Sequence, residues 1–475
     1  MKTKRFSPDI PARTPAVKLI LFFFIPLSVG ALDVPSAQIQ DDSSLRLSLV
    51  RSWFQEAPGQ ALSNRPFIHT LPNGERIQVR SEAERNEFMI ILAREYNGGF
   101  PGWAQGSWIL VRNREDGAQL RIRVFLRSDP YTYVQFRPLD GGRCLMDVAI
   151  YDGYIVHSQP VPVPFERLFV MPLEEVLRAS GSRFPRRYFD PQRDDYRDLR
   201  TFITAVRRKL PTLSYRDDGA IDERGRYVFI DSGETQEGTP GLNCSGFAKW
   251  VIDGILRPLT GKLLPIAPLK AAFGERGSSF TEIYESQQDP FFGLDWTRNL
   301  ASRANAVLRG SALGELQEIE VQDARFASVI TRSREGSAVR SYPGYLSQAG
   351  FGIEGLHPLL YTLAIDEPGR VYLASVNTEL GAPESAANLR GGPWMRRHFH
   401  VAVLAPFFDE NGDFQVVVFE SAQETAFAQF KARYPNHYVN LARVPVEGAF
   451  DPELPTESTP GNYREYPAGI YTLAR

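Results

Sequence analysis

The stretch LNCSGFAKWVIDGI, residues 242–255, sets a cysteine directly ahead of an amphipathic helical pattern. Phe247, Val251 and Ile255 recur at i, i+4 and i+8 with Ile252 beside them, the spacing of one buried helix face. Asn243 is a favoured N-cap residue, so Cys244 falls in the first helical turn. Backbone N–H groups there lack helical acceptors, and the positive end of the helix dipole favours an anion. A helix N-terminus is one of the environments that lower a thiol pKa below its usual value of about 8.5. Cys244 therefore reads as a nucleophile. The other cysteine, Cys144, lies in the strand-like run GGRCLMDVAIY and reads as a small buried hydrophobe. Two cysteines in an exported chain also permit one disulfide, and the sequence leaves that alternative open.

A cysteine nucleophile needs a base within hydrogen-bond reach and a third group to orient that base. The chain has six histidines, and two of them, His398 and His400, open the strand pattern HFHVAVLAPFF (398–408). Residues i and i+2 of a strand share a face, so both are expected to point the same way, and either can serve as base. The turn DENGD returns the chain into FQVVVFES (414–421), which brings Glu420 beside the histidine as its orienting group. His437 and Asn440 are further residues for that role. The histidines lack HExxH spacing and the cysteines do not pair at metal-ligand spacing, so no metal and no cofactor are expected.

At these residues the chain resembles the NlpC-type cell-wall cysteine peptidases, which have a papain-like core. The family's cysteine run corresponds to Asn243-Cys244-Ser245-Gly246-Phe247, and its histidine strand to His400-Val401-Ala402-Val403-Leu404. Its third polar position corresponds to Phe419-Glu420-Ser421-Ala422. Asn243 stands where the family has aspartate, Ala402 where it has glycine, and Glu420 where members usually have histidine. The resemblance covers three patches of the C-terminal half. It implies an α+β fold in which the helix bearing the cysteine packs on an antiparallel sheet. It implies Cys244, His400 and Glu420 as catalytic residues, with Tyr227 supporting the oxyanion pocket and Asn243, Ser245 and His398 in supporting or alternative roles. The implied substrate is peptidoglycan or another amide or peptide. An acyltransferase or amidase on the same Cys-His core, or an inactive wall-binding scaffold, are the alternatives.

The whole chain, 475 residues with 43% hydrophobic and 23% charged residues, has the composition of an ordinary globular protein of two or three domains. Lys2, Lys4, Arg5, Arg13 and Lys18 precede the apolar run Leu19–Leu32, and Val29-Gly30-Ala31 fits a cleavage site, so 1–31 reads as a signal peptide. The run is shorter than the ~20 residues a spanning helix needs, which favours export to the periplasm or exterior over an N-terminal anchor. Residues 1–31 hold five basic residues and one acidic one, so the remainder is more acidic than the formal net charge of −2 for the whole. It has no basic stripe interleaved with aromatics, and nucleic acid is not an expected partner.

Residues 46–180 read as an N-terminal β-rich α+β domain. Helical patterns are expected around Leu47–Phe54 and Ala83–Tyr96. Strands are expected in SWILVRNR, in QLRIRVFL (119–126) after the turn Glu115-Asp116-Gly117, and in YTYVQFRPL and CLMDVAIYDGYIVHS. The Pro-, Arg- and Asp-rich residues 181–195 read as a linker, with Asp195 capping a helix whose Leu199, Phe202, Ile203, Val206 and Leu210 form one face. A hydrolase domain is expected over 195–450, with an insertion at about 257–370, and a C-terminal tail over 451–475. Within it, helices are expected near Trp296–Leu308, Leu313–Ile319 and Thr425–Tyr434, and strands in VYLASV (371–376) and HYVNLARVPV.

Overall fold

Short polar turns between alternating apolar runs fold the first half of the chain as a meander. The structure, a computed structural model, describes residues 41–274, 289–310, 312–333, 336–379 and 396–454. Eight antiparallel strands follow one another: β1 (Phe67–Thr70), β2 (Arg76–Glu84), β3 (Glu87–Arg94), β4 (Trp108–Asn113), β5 (Gln119–Phe125), β6 (Tyr133–Leu139), β7 (Arg143–Ile150) and β8 (Gly153–Val161). The helix Ser43–Leu49 and the π turn Val50–Phe54 form where Leu47–Phe54 is expected to be helical, and Asp42 caps the helix by accepting the Leu45 N–H at 2.7 Å. The helix expected over Ala83–Tyr96 is instead the β2–β3 hairpin. Its two-residue loop Arg85-Asn86, with Arg85 at φ 40°, closes the Glu84–Glu87 pair. The apolar run Met89–Leu92 satisfies a helix and a strand buried on both faces equally well, and pairing with both β2 and β4 decides for the strand.

Residues 181–195, read as a linker, are packed against the rest of the chain. Phe184, Tyr188 and Phe189 are buried, the Phe184 and Phe189 rings stack at 5.4 Å, and the Tyr361 hydroxyl donates to the Tyr188 carbonyl. The helix Arg197–Lys209 buries Leu199, Phe202, Ile203 and Val206, as its periodicity requires. A 3₁₀ turn, Arg193–Tyr196, leads into it, so Tyr196 takes the cap position and Asp195 does not cap. A small hairpin, β9 (Gly219–Ile221) with β10 (Tyr227–Phe229), precedes the helix Cys244–Thr260, which ends at Gly261 in the left-handed conformation (φ 69°).

Gly246 lies so close to β9 that an added Cβ would collide with the Gly219 carbonyl oxygen. Backbone on both sides leaves nothing flexible to move. Gly246→Ala is therefore expected to destabilise the protein by about 3 kcal/mol, the upper range for overpacking. A urea midpoint unchanged by this substitution would contradict the close approach.

Further along the chain, β11 (Ser328–Ser333) and β12 (Gly336–Ser341) form a hairpin that joins the first sheet through Val329 opposite Gly153 of β8. The second sheet is antiparallel in the order β13 (Phe351–Gly352), β18 (Tyr438–Pro445), β14 (Arg370–Glu379), β15 (Arg396–Phe408), β16 (Phe414–Glu420), β17 (Gln423–Ala426). Its four long strands are those read from VYLASV, HFHVAVLAPFF, FQVVVFES and HYVNLARVPV. The expected Thr425–Tyr434 helix is shorter, Phe427–Arg433, because Thr425 belongs to β17. The helix Phe292–Arg309 covers β14, β15 and β18, and the Cys244–Thr260 helix rests on β15 and β9. Trp296 ties the two helices by donating its indole N–H to the Ser245 carbonyl at 2.9 Å. The class is α+β with large antiparallel sheets. Among the described residues no helix is long and apolar enough to cross a membrane. The apolar run at 19–32 and the tail beyond 454 lie outside the described residues.

Candidate active site

The Cys244 helix, the start of β15 and the end of β16 bring three side chains together. Asn243 departs from helical geometry (φ −82°, ψ −173°), and its Oδ1 accepts the Gly246 N–H at 2.8 Å. That cap fixes Cys244 at the first helical position, where its N–H and that of Ser245 lack intrahelical acceptors. Asn243→Ala is expected to cost about 1 kcal/mol of stability, read from chemical denaturation. A larger loss in kcat/KM than in stability would show that the cap also sets the position of the sulfur.

His398 and His400 do not share a face. The β14–β15 register shifts between Val376 and Asn377, so His400 stands opposite Val376 and His398 opposite Asn377, with Phe399 as the extra residue. Consecutive residues of β14 point to opposite sides, and the bulge therefore separates the two imidazoles. The period-2 expectation fails at this one inserted residue. His398 is buried: its Nε2 donates to the Gln348 carbonyl at 2.9 Å, and its Nδ1 accepts from the Ser375 hydroxyl at 2.9 Å. Burial, with the charges of Arg298 and Arg396, presses its pKa down to about 3, so it stays neutral.

His400 turns toward Tyr434, whose ring centroid lies 5.7 Å away. Its Nε2 donates to Glu420 Oε2 at 2.6 Å, which leaves Nδ1 for the hydrogen bond with the Cys244 sulfur. The Val401 N–H also donates to that sulfur, and Ser245 Oγ lies 4.0 Å from it. Burial would raise the Cys244 thiol, but the hydrogen bond and charge of His400, with Val401 and Ser245, outweigh it and hold the pKa below its ordinary value. His400 shows the reverse balance: burial depresses it, and Cys244 and Glu420 raise it to about 9. The two opposite shifts are those of a pair in which thiolate and imidazolium stabilise each other.

Glu420 is almost fully buried, and its second oxygen accepts from Thr425 Oγ1 at 2.6 Å and Arg433 Nη1 at 2.7 Å. Burial would raise the carboxyl, yet these donors and His400 bring it down to about 2. Glu420 ends β16 at a two-residue reversal, Ser421-Ala422, whose φ values are 47° and 64°. Two positive φ values match a type I′ hairpin, usually made by Asn-Gly, and non-glycine residues there store strain of order 1–3 kcal/mol.

The group opens on a cleft of about 660 Å³, whose walls include Tyr215, Asp217, Asp231, Phe292, Phe399 and Ser421. Tyr215 is the tyrosine on this cleft. Tyr227 does not line it; the charge near Tyr227 is Glu453. Tyr215 arrives there because its backbone bridges in parallel to Leu242, two residues before the cysteine, a pairing that LSYRDD does not advertise. Thr425 and Arg433 were also not legible as site residues, since a hairpin and a short helix fold them back onto Glu420. His437 Nδ1 meets the Pro435 carbonyl and Asn440 donates to Glu320, so neither orients His400. Both cysteines are free, and burial pushes the Cys144 thiol up to about 12. No three His, Cys, Asp or Glu side chains among the described residues are grouped to hold a metal ion.

Residues 35–188 match the family model of a domain of unknown function (DUF8515), a span that takes in β1 to β8 and ends before the cysteine helix. No curated protein and no solved structure matches the chain.

Proposed function

We propose that this protein is an exported cysteine amidohydrolase with a papain-like core, acting on peptide bonds of peptidoglycan. The observation that supports this most directly is the chain of contacts from Cys244 through His400 to Glu420 at the cleft. The Cys244 thiolate attacks the amide carbonyl carbon, and the C=O electron pair moves onto oxygen. The N–H groups of Cys244 and Ser245 hold that oxyanion, usually the largest electrostatic contribution. His400 passes its Nδ1 proton to the leaving amine as the C–N bond breaks, giving a thioester. Water attacks the thioester while His400 takes its proton, and the free acid leaves as the thiolate–imidazolium pair is restored. Glu420 keeps the imidazole in the tautomer and orientation that both steps require.

The choice of wall peptide rests on the resemblance of the Cys244, His400 and Glu420 segments to NlpC-type peptidases. It is tested by digesting purified sacculi and analysing the soluble products by mass spectrometry. Fragments that gain one water per cut and carry a new free amine support it. Acyl conjugates without free acid would assign the site to acyl transfer. Intact sacculi, with Cys244 still reactive toward alkylation, would remove the wall as substrate.

A further inference from the structure

The outer face of the first sheet carries a second polar group, remote in sequence from Cys244 and unused by its chemistry. Ile109 of β4, Arg123 of β5, Gln135 of β6 and Asp147 of β7 stand directly opposite one another across four strands, and so share one face. The next row on that face is Phe125, Tyr133, Ala149 and Tyr154. With Ile330 of β11 and the adjoining Trp103, this row makes a small apolar cluster separate from the main core.

The cations on this face are not equivalent. Arg121 pairs with Glu87 at 2.6 Å, Arg137 with Asp147 at 3.0 Å and Arg332 with Asp152 at 2.6 Å. Asp147 is almost wholly buried and also accepts from Gln135 and from the Ser158 N–H, so its charge is fully used. Arg123 has no carboxylate partner among the described residues. Its Nε donates to Gln135 Oε1 at 2.8 Å, and its guanidinium carbon lies 4.8 Å from the Tyr133 ring centroid. A half-buried guanidinium held at Nε and stacked on one face keeps its terminal N–H edge for a further acceptor. That edge is the fork that binds carboxylate and phosphate in bidentate fashion. The neighbouring Arg121 and Arg332 are offset by Glu87 and Asp152, so among the described residues Arg123 is the cation of this group without a carboxylate.

We propose that Arg123 anchors an oxyanion-binding site on this face, its terminal N–H edge taking a carboxylate or phosphate while its other side stays stacked on the buried Tyr133 ring. N-acetylmuramic acid and N-acetylglucosamine test it cleanly, because they differ by one carboxylate-bearing ether group. Calorimetric titration of the full chain with each, and with inorganic phosphate, is the experiment. N-acetylmuramic acid is expected to bind about tenfold more tightly than N-acetylglucosamine, and Arg123→Gln to lose about that factor, the scale of a charge-assisted hydrogen bond. Arg121→Gln, at a residue already paired, serves as the surface-charge control and is expected to change affinity far less. Arg123→Lys keeps the charge and the stem but removes the fork, and is expected to bind as weakly as Arg123→Gln. Tight binding of phosphate alone, lost in Arg123→Gln, would support the site and assign phosphate as the ligand group. Equal affinities in wild type, Arg123→Gln and Arg123→Lys, or no binding of any of the three probes, would overturn the proposal.

Discussion

Cys244→Ala is expected to lower kcat for amide hydrolysis by on the order of 10⁴-fold or more while leaving the fold in place. The nucleophile, base and orienting group act as a unit, so losing the nucleophile removes nearly all that the three supply. Cys244 is half-buried at the first helical position, and alanine there keeps the backbone, the Asn243 cap and the packing of Phe247. Cys244→Ser is expected to be almost as inactive, because His400 is matched to a thiol and not to a hydroxyl of much higher pKa. Muropeptide release from sacculi, followed by chromatography, reads the effect, and circular dichroism confirms the fold. Substantial turnover in Cys244→Ala would move the chemistry away from this residue.

The second large effect is in pH dependence. The Cys244 pKa is lowered and that of His400 is raised to about 9, so the thiolate–imidazolium pair persists from the lowered thiol pKa up to about 9. Alkylation of Cys244 is therefore expected to reach its plateau at a lower pH than that of an ordinary thiol. His400→Ala removes the hydrogen bond and the charge and leaves burial, which raises the thiol. Labelling near pH 6 is expected to fall in His400→Ala, by a factor of about ten for each unit by which the thiol rises. Cys144, pushed up to about 12, is the internal control. Equal labelling in wild type and His400→Ala would mean that the imidazole does not set the thiol.

The same shifts fix the pH dependence of stability. His400 is raised from 6.5 to about 9, so its contribution is complete below 6.5 and is lost as pH rises through 9. Glu420 is lowered from 4.5 to about 2, so its contribution is present above 4.5 and is lost as pH falls through 2. The Tm is expected to fall on both sides of a plateau between 4.5 and 6.5, and Glu420→Gln to flatten the acid limb. An acid limb unchanged in Glu420→Gln would assign it to other carboxylates.

Sequence reading succeeded at this site where the signals are local. Asn243 followed by the periodic Phe247, Val251 and Ile255 marks a helix start within a few residues, and DENGD between two apolar runs marks a hairpin that returns Glu420 to His400. It failed where position depends on remote pairing. The bulge at Phe399 is a property of β14 against β15, and no pattern within HFH contains it. Tyr215 reaches the cleft through a bridge to Leu242, and Arg433 through a short helix. Met89–Leu92 fits two periods, and only its neighbours on both sides select one.

The hairpin β11–β12 adds a constraint in time. As the chain emerges from its N-terminus, residues 67–161 can pair into the meander early, but β8 gains its one register pair on the far side, Gly153 opposite Val329, only when β11 arrives. Until then that edge is a template for strands of other chains, the route by which slowly completed sheets aggregate. A fragment stopping at residue 188, the limit of the DUF8515 match, would lack the Gly153–Val329 pairing. Expressed alone it is a candidate for self-association, and the single pairing at Gly153 is what the second half of the chain adds to that edge.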